Sequence, residues 1–238
     1  MGTNLPLPTR IERVITENAR TKTFVLDTSL EAQPGQFLMV WLPSLDEKPF
    51  SLAGADPLSL TVARVGPFTT AMHKLETGDR LWYRGPLGKG FTLAGENLLL
   101  VGGGYGVAPL AFLADEAVRA GSKLFVLIGA SGEADVFFEE RLGRLADELW
   151  VVTEDGSAGR RGLATDAVEE ILAGQKIDTL YACGPEGMLE RLAKICADHQ
   201  LPCQLSWEAY MRCGLGLCGS CERDGLLICA DGPVLASP

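Results

Sequence analysis

The sequence predicts an α/β protein with an added all-β part: an N-terminal antiparallel β-barrel, a doubly wound parallel α/β domain and a small C-terminal cysteine-loop module. Three observations predict it. Short apolar runs cut by turn residues fill positions 8–93. Strand-like and helix-like stretches alternate from 96 to 207. Four cysteines then crowd into the tail. The expected boundaries are 1–95, 96–208 and 209–238.

At 238 residues the chain can bury two cores and carry an appendage. Its 47% hydrophobic content and 28 glycines suit an ordered α/β protein rather than a disordered one. A net charge of −10 argues against a nucleic-acid or anionic-membrane surface. No apolar run reaches the roughly 18 residues of a membrane span. Positions 1–10 hold no signal-peptide core, so a cytoplasmic location is expected. Seven cysteines, odd in number and unevenly placed, speak against an extracellular disulfide framework.

In the first third, strands are expected at 11–15, 23–26, 37–42, 50–53, 58–65 and 80–83. Pro34-Gly35 and Asp56-Pro57 supply turns. Six short strands at this spacing suggest a closed barrel. One helix is expected over 69–75. Lys48-Pro49-Phe50-Ser51 opens a strand with a cation, a ring and a hydroxyl; alone it also reads as an ordinary strand edge. Gly66-Pro67-Phe68-Thr69-Thr70 enters the helix, where free N–H groups hold a phosphate well; alone it also reads as plain N-capping. His73 and His199 are the only histidines, so histidine acid–base chemistry is not expected and neither is given a role.

From 96 onward, strands are expected at 98–101, 123–128, 148–152 and 179–182, with a last one at 204–207. Helices are expected at 108–120, 134–145, 163–172 and 186–199. Such alternation implies a mainly parallel sheet. Gly102-Gly103-Gly104-Tyr105-Gly106-Val107 follows the first strand and opens a helix, the arrangement that cradles a pyrophosphate. It is not a strict G-x-G-x-x-G, and a tight packing turn is the alternative. Cys183-Gly184-Pro185 repeats the strand-to-helix transition. In this topology both loops reach the carboxyl edge of the sheet, where ligands bind. Cys183 is either a small residue set against a nicotinamide ring or a buried core residue. After the second strand, 129–133 holds one acid and no cation to take a 2′-phosphate, so NADH is expected over NADPH. Cys196 and Cys203 read as core.

The tail reads Cys213-x4-Cys218-x2-Cys221-x7-Cys229, with glycines at 214, 216 and 219. This spacing matches the plant-type [2Fe–2S] pattern. A loop must bend closely around such a cluster and aim backbone N–H groups at its sulfurs, which glycine permits. A four-cysteine zinc site and a disulfide knot are the alternatives. Zinc sites usually show two similar short Cys pairs, and cytosolic thiols stay reduced.

Together with Gly85-Pro86-Leu87-Gly88, these motifs occur in an order that resembles the ferredoxin–NADP reductase superfamily. Within it, the chain is most similar to the family of electron-transfer subunits of NAD-dependent dihydroorotate dehydrogenases, from about residue 8 to 234. The resemblance implies an FAD in the barrel, NADH on the second domain and a [2Fe–2S] cluster on Cys213, Cys218, Cys221 and Cys229. It implies that Lys48, Pro49, Phe50 and Ser51 contact the flavin, ribityl and pyrophosphate. Ala63, Arg64 and Val65 would then lie along the FAD, with Gly66, Thr69 and Thr70 at its phosphates. It implies NAD contacts from Gly102, Gly103, Gly104, Gly106, Val107, Cys183, Gly184 and Pro185. The expected partner is an FMN-containing catalytic subunit that interconverts dihydroorotate and orotate in pyrimidine synthesis, in a heterotetramer of two plus two. The alternative is an NAD(P)H-dependent reductase feeding an oxygenase, hydrogenase or carrier protein. Two departures stand out. Lys48 replaces the family's usual Arg and cannot make a bidentate fork to phosphate. The segment between Cys221 and Cys229 is shorter than the usual hairpin.

Overall fold

Alternation of apolar and polar side chains shapes the barrel. The structure, a computed structural model, describes residues 5–237. The first four residues of the expected barrel and the last of the expected tail lie outside these. Strands β1 (Leu7–Thr16), β2 (Thr21–Leu26), β3 (Phe37–Leu42), β4 (Asp46–Ala55), β5 (Leu58–Ala63) and β6 (Arg80–Leu87) close in the order β1-β2-β5-β4-β3-β6. Phe24, Leu38, Leu52, Leu60 and Leu81 fill the interior, each such side chain contributing roughly 1.5–3 kcal/mol. Helix α1 (Pro67–Met72) adds Phe68 and Met72 to that core. It starts and stops earlier than expected because Pro67 is ready-made for a first helical turn.

One expectation is corrected here. Lys48-Pro49-Phe50-Ser51 does not open a strand; it lies inside β4, with Pro49 in register with Met39 of β3. The strand pairs with β3 over 46–51 and with β5 only from Leu52 onward. Pro49 therefore sits where β4 has a free edge, which is where a strand tolerates proline.

The second domain runs β7 (Asn97–Gly103), α2 (Val107–Arg119), β8 (Lys123–Ala130), α3 (Glu139–Gly143), β9 (Glu148–Thr153), β10 (Arg160–Arg161), α4 (Ala164–Gly174), β11 (Thr179–Cys183), α5 (Glu186–Asp198) and β12 (Cys203–Ser206). The tail adds a hairpin, β13 (Glu222–Arg223) with β14 (Leu226–Leu227), then α6 (Ile228–Asp231) and β15 (Val234–Ser237). The sheet order is β10-β9-β8-β7-β11-β12-β15, parallel except for β15. The period of two along a strand divides its residues between two cores. Leu98 and Leu100 face α2, while Leu99 and Val101 face α4 and α5. Cys196 and Cys203 are both buried in the second of these cores, as expected. Among the described residues no helix is long and apolar enough to cross a membrane.

The helix expected over 134–145 is a second correction. Only Glu139–Gly143 forms α3, after a short 3₁₀ turn at Glu133–Asp135. Phe137 and Phe138 are both buried and pack edge to face. A continuous helix would need φ of about −63° at every residue. Phe138 instead takes φ +62° and breaks the helix.

The parts are packed together. Phe112 of α2 enters the barrel core, and Arg141 of α3 donates to the Ala53 carbonyl at 3.2 Å. The tail module packs on the barrel through Phe37 and Met39 of β3, which share a small core with Met211, Cys221, Ile228 and Cys229. β15 falls within the expected tail segment, yet it forms an edge of the sheet beside β12.

Candidate functional site: two cavities and a cysteine loop

The first cavity, about 270 Å³, opens between barrel and sheet. Six residues expected at the flavin line it: Pro49, Phe50, Ser51, Ala63, Val65 and Thr69. Phe50 is held by stacking on Phe68, with centroids 5.9 Å apart. Four expected residues stand off the lining. Lys48 is turned to Asp46, 2.5 Å away, and lies over the Tyr210 ring. Arg64 and Thr70 are exposed. Gly66 shapes the loop: its N–H and that of Val65 donate to the Thr69 hydroxyl at 3.0 and 2.9 Å.

The opposite wall holds residues that sequence reasoning missed as a group: Tyr105, Trp207, Glu208 and Met211, beside Gly106 and Cys183. Glu208 stands at the rim, and the protein around its carboxyl raises its pKa. Burial pushes the Cys183 thiol up to about 12, helped by the charge of Glu208. Tyr105 is raised as well, chiefly by Glu208. No motif marks Glu208 or Trp207. The one signal was their place just after a last parallel strand, at the ligand-binding edge.

The second cavity, about 460 Å³, lies over the carboxyl ends of the parallel strands. Of the expected nucleotide residues, Gly103, Gly104 and Pro185 line it. Gly104 has φ +52° and nothing within 4 Å of where a β-carbon would stand, so a ligand can approach its backbone. The others hold the walls. A β-carbon on Gly102 would meet Val107 at 2.6 Å, and one on Gly184 would meet Met188 at 2.6 Å. Gly106 and Cys183 face the first cavity. Tyr105 lines both. Beyond β8 and β9 the cavity is edged by Ser131 and Glu154. Arg160 is turned away, paired with Glu170.

The cysteine loop winds with positive φ at Gly214 (66°) and Gly216 (73°). This turns backbone N–H groups toward sulfur. Leu215 and Leu217 donate to Cys213 Sγ, both at 3.4 Å, Gly216 to Cys229 Sγ at 3.2 Å, and Cys229 to Cys221 Sγ at 3.5 Å. The Ser220 hydroxyl and N–H hold the Cys218 thiol down to about 6. Among the described residues no three His, Cys, Asp or Glu side chains gather as a single metal ion requires. The thiols instead form two pairs, Cys213 with Cys218 and Cys221 with Cys229. Four thiols under inward N–H groups are a donor set that fits an iron–sulfur cluster. Arg223 of β13 fastens the module to α5 by an ion pair to Glu186 at 2.5 Å and stacks on Trp207 at 4.0 Å.

Known proteins share this arrangement. Residues 208–237 match the iron–sulfur cluster binding domain of dihydroorotate dehydrogenase B, and residues 100–194 match the oxidoreductase NAD-binding domain. The chain is 40% identical to a Methanocaldococcus jannaschii protein over 96% of its own length and 89% of the relative's. It is 43% identical to a Methanopyrus kandleri protein with the same coverage. Both are named "Probable dihydroorotate dehydrogenase B (NAD(+)), electron transfer subunit". The chain belongs to the family of dihydroorotate dehydrogenase B electron transfer subunits. As a member of that family it is an oxidoreductase subunit, and its partner is a catalytic subunit. Among solved structures, the NADH-dependent reduced ferredoxin–NADP oxidoreductase superposes with a TM-score of 0.87 at 28% identity, covering 96% of this chain and 87% of that one. An Amycolatopsis cytochrome P450 reductase superposes with a TM-score of 0.70 at 27% identity, over 83% and 67% of the two chains.

Proposed function

We propose that the chain takes electron pairs from NADH and delivers them singly to the FMN of a dihydroorotate dehydrogenase catalytic subunit, by way of a bound FAD and a [2Fe–2S] cluster. The assembly is a cytoplasmic heterotetramer of two plus two. The units at work are 1–95 for FAD, 96–208 for NADH and 209–238 for the cluster, with β15 tying the last to the second. When bound, FAD accepts a hydride and the cluster accepts one electron at a time, which converts paired to single transfer.

The observation that carries this reading is contiguity. Tyr105 is a wall of both cavities. Met211 lines the first cavity and packs in one core with Cys221 and Cys229. The two cavities and the cysteine loop therefore adjoin, which supports an order of nucleotide, flavin and cluster along the path of the electrons.

The protein's own work is positioning and exclusion. Phe50, Pro49 and Ser51 give the flavin a flat apolar wall with one hydroxyl. Gly104 lets a pyrophosphate reach backbone N–H groups, and Gly103 lets Pro185 and Met188 of the next loop pack close beside it. Cys183 stays a neutral thiol at physiological pH, so it adds small bulk and no charge beside the ring. Glu154 at the cavity edge, with Arg160 committed to Glu170, favours NADH over the 2′-phosphorylated nucleotide. Cys213, Cys218, Cys221 and Cys229 hold the cluster.

The test is co-purification with the catalytic subunit under anaerobic conditions, cofactor analysis and an NADH-to-orotate assay. Flavin, two irons per chain and orotate-linked NADH turnover are expected. A fully loaded complex without orotate activity would remove the acceptor assignment. A colourless protein with one zinc would remove the cluster.

A further inference from the structure

Arg84 of β6 lies across the seam between the barrel and the cysteine loop. The residue is only 8% exposed. Its Nε and Nη2 donate to Glu47 Oε1 and Oε2, both at 2.7 Å, and Nη2 also donates to the backbone carbonyl of Cys213 at 2.6 Å. Nη1 is buried with no partner among the described residues. A paired, bidentate guanidinium with a third bond is a rigid object. It holds the peptide after Cys213 in the orientation from which Leu215 and Leu217 point at that cysteine's sulfur.

The arrangement is also electrostatic. The positive member of the pair bonds the Cys213 carbonyl directly, and the Glu47 carboxylate reaches it through Arg84. Reduction adds one negative charge to a cluster, and charges in a low-dielectric setting act strongly on that step. Hydrogen bonds behind the ligands are an established lever on such potentials. We infer that Arg84 is a positioning residue that raises the reduction potential of the cluster on Cys213, and that Glu47 tempers it. The inference rests on the [2Fe–2S] reading above.

The pair makes a test by sign. Wild-type protein, Arg84→Gln, Arg84→Lys and Glu47→Gln are purified anaerobically, and the reduced cluster is titrated potentiometrically with electron paramagnetic resonance as the readout. Arg84→Gln should lower the potential by an amount equal to about tenfold in the reduction equilibrium, about 59 mV for one electron. Glu47→Gln should raise it. Arg84→Lys should fall between wild type and Arg84→Gln. A clamp with a merely structural role predicts lower melting temperatures with unshifted potentials, or shifts of the same sign in both, and either result overturns the inference. If Arg84→Gln sheds its cluster, Glu47→Gln decides alone: an unchanged or lowered potential is fatal. A wild-type protein without the resonance refutes the cluster reading itself, whereas a full signal with unmoved potentials refutes only the role of Arg84.

Discussion

A β-carbon placed on Gly106 would stand 2.3 Å from the carbonyl oxygen of Cys183. The two loops that carry the nucleotide-site motifs thus touch backbone to backbone. The contact sets the gap between them and leaves Tyr105, one residue earlier, at the wall common to both cavities.

Gly106→Ala should therefore force the loops apart. The expected cost is about 1–3 kcal/mol of stability, the usual penalty for overpacking, with a clear loss of NADH affinity. Thermal melts and nucleotide titration check it. Wild-type values in both would show that the contact is dispensable.

In cluster-free protein at pH 7, Cys218 should be the first cysteine to react with iodoacetamide, because the Ser220 hydroxyl and N–H hold its thiol down to about 6. Cys183, pushed up to about 12 by burial, should stay unmodified, as should buried Cys196 and Cys203. Peptide mass spectrometry reads the order. Loading the cluster should protect Cys218; equal labelling with and without iron would contradict its role as a ligand.

Glu208 has a native pKa above its ordinary value of 4.5. The folded state then binds more protons than the unfolded one, so this group's contribution to stability falls as pH rises from 4.5 through the raised native value. Glu208→Gln removes that slope. The variant should gain more stability over wild type at pH 8 than at pH 5 in urea melts. An equal gain at both would mean that the carboxyl is not perturbed.

Lys48→Arg should strengthen flavin retention. Arginine offers a planar fork where lysine offers a point charge, and Lys48 at present spends its charge on Asp46. An affinity rise of about three- to tenfold is expected by fluorescence titration. No change would place position 48 away from the phosphates.

Cys218→Ser should abolish electron delivery to the catalytic subunit while leaving NADH oxidation with an artificial two-electron acceptor close to wild type. None of the four loop cysteines lines either cavity. Undiminished transfer to the partner would mean that electrons leave by another route.

Much of this was legible along the chain because its causes are local. Period-two apolar runs, strand–helix alternation and glycine turns are short-range signals, and they located all six barrel strands and the parallel sheet. The four-cysteine spacing is equally local, since a loop around a small anionic object needs closely spaced donors and glycine bends. The same signals misjudged 134–145, where Phe138 packs beside Phe137 with φ +62° and the helix begins only after it.

What the sequence by itself determined, then, is the class of fold, the place of each glycine loop and the spacing of the four tail cysteines. Tertiary structure alone decided which loops meet: Tyr105 between two cavities, Glu208 at a rim, β15 returning to β12, and Arg84 on the carbonyl of Cys213, 129 positions away. Such contacts depend on burial and charge pairing between distant segments. No periodicity within either segment records them.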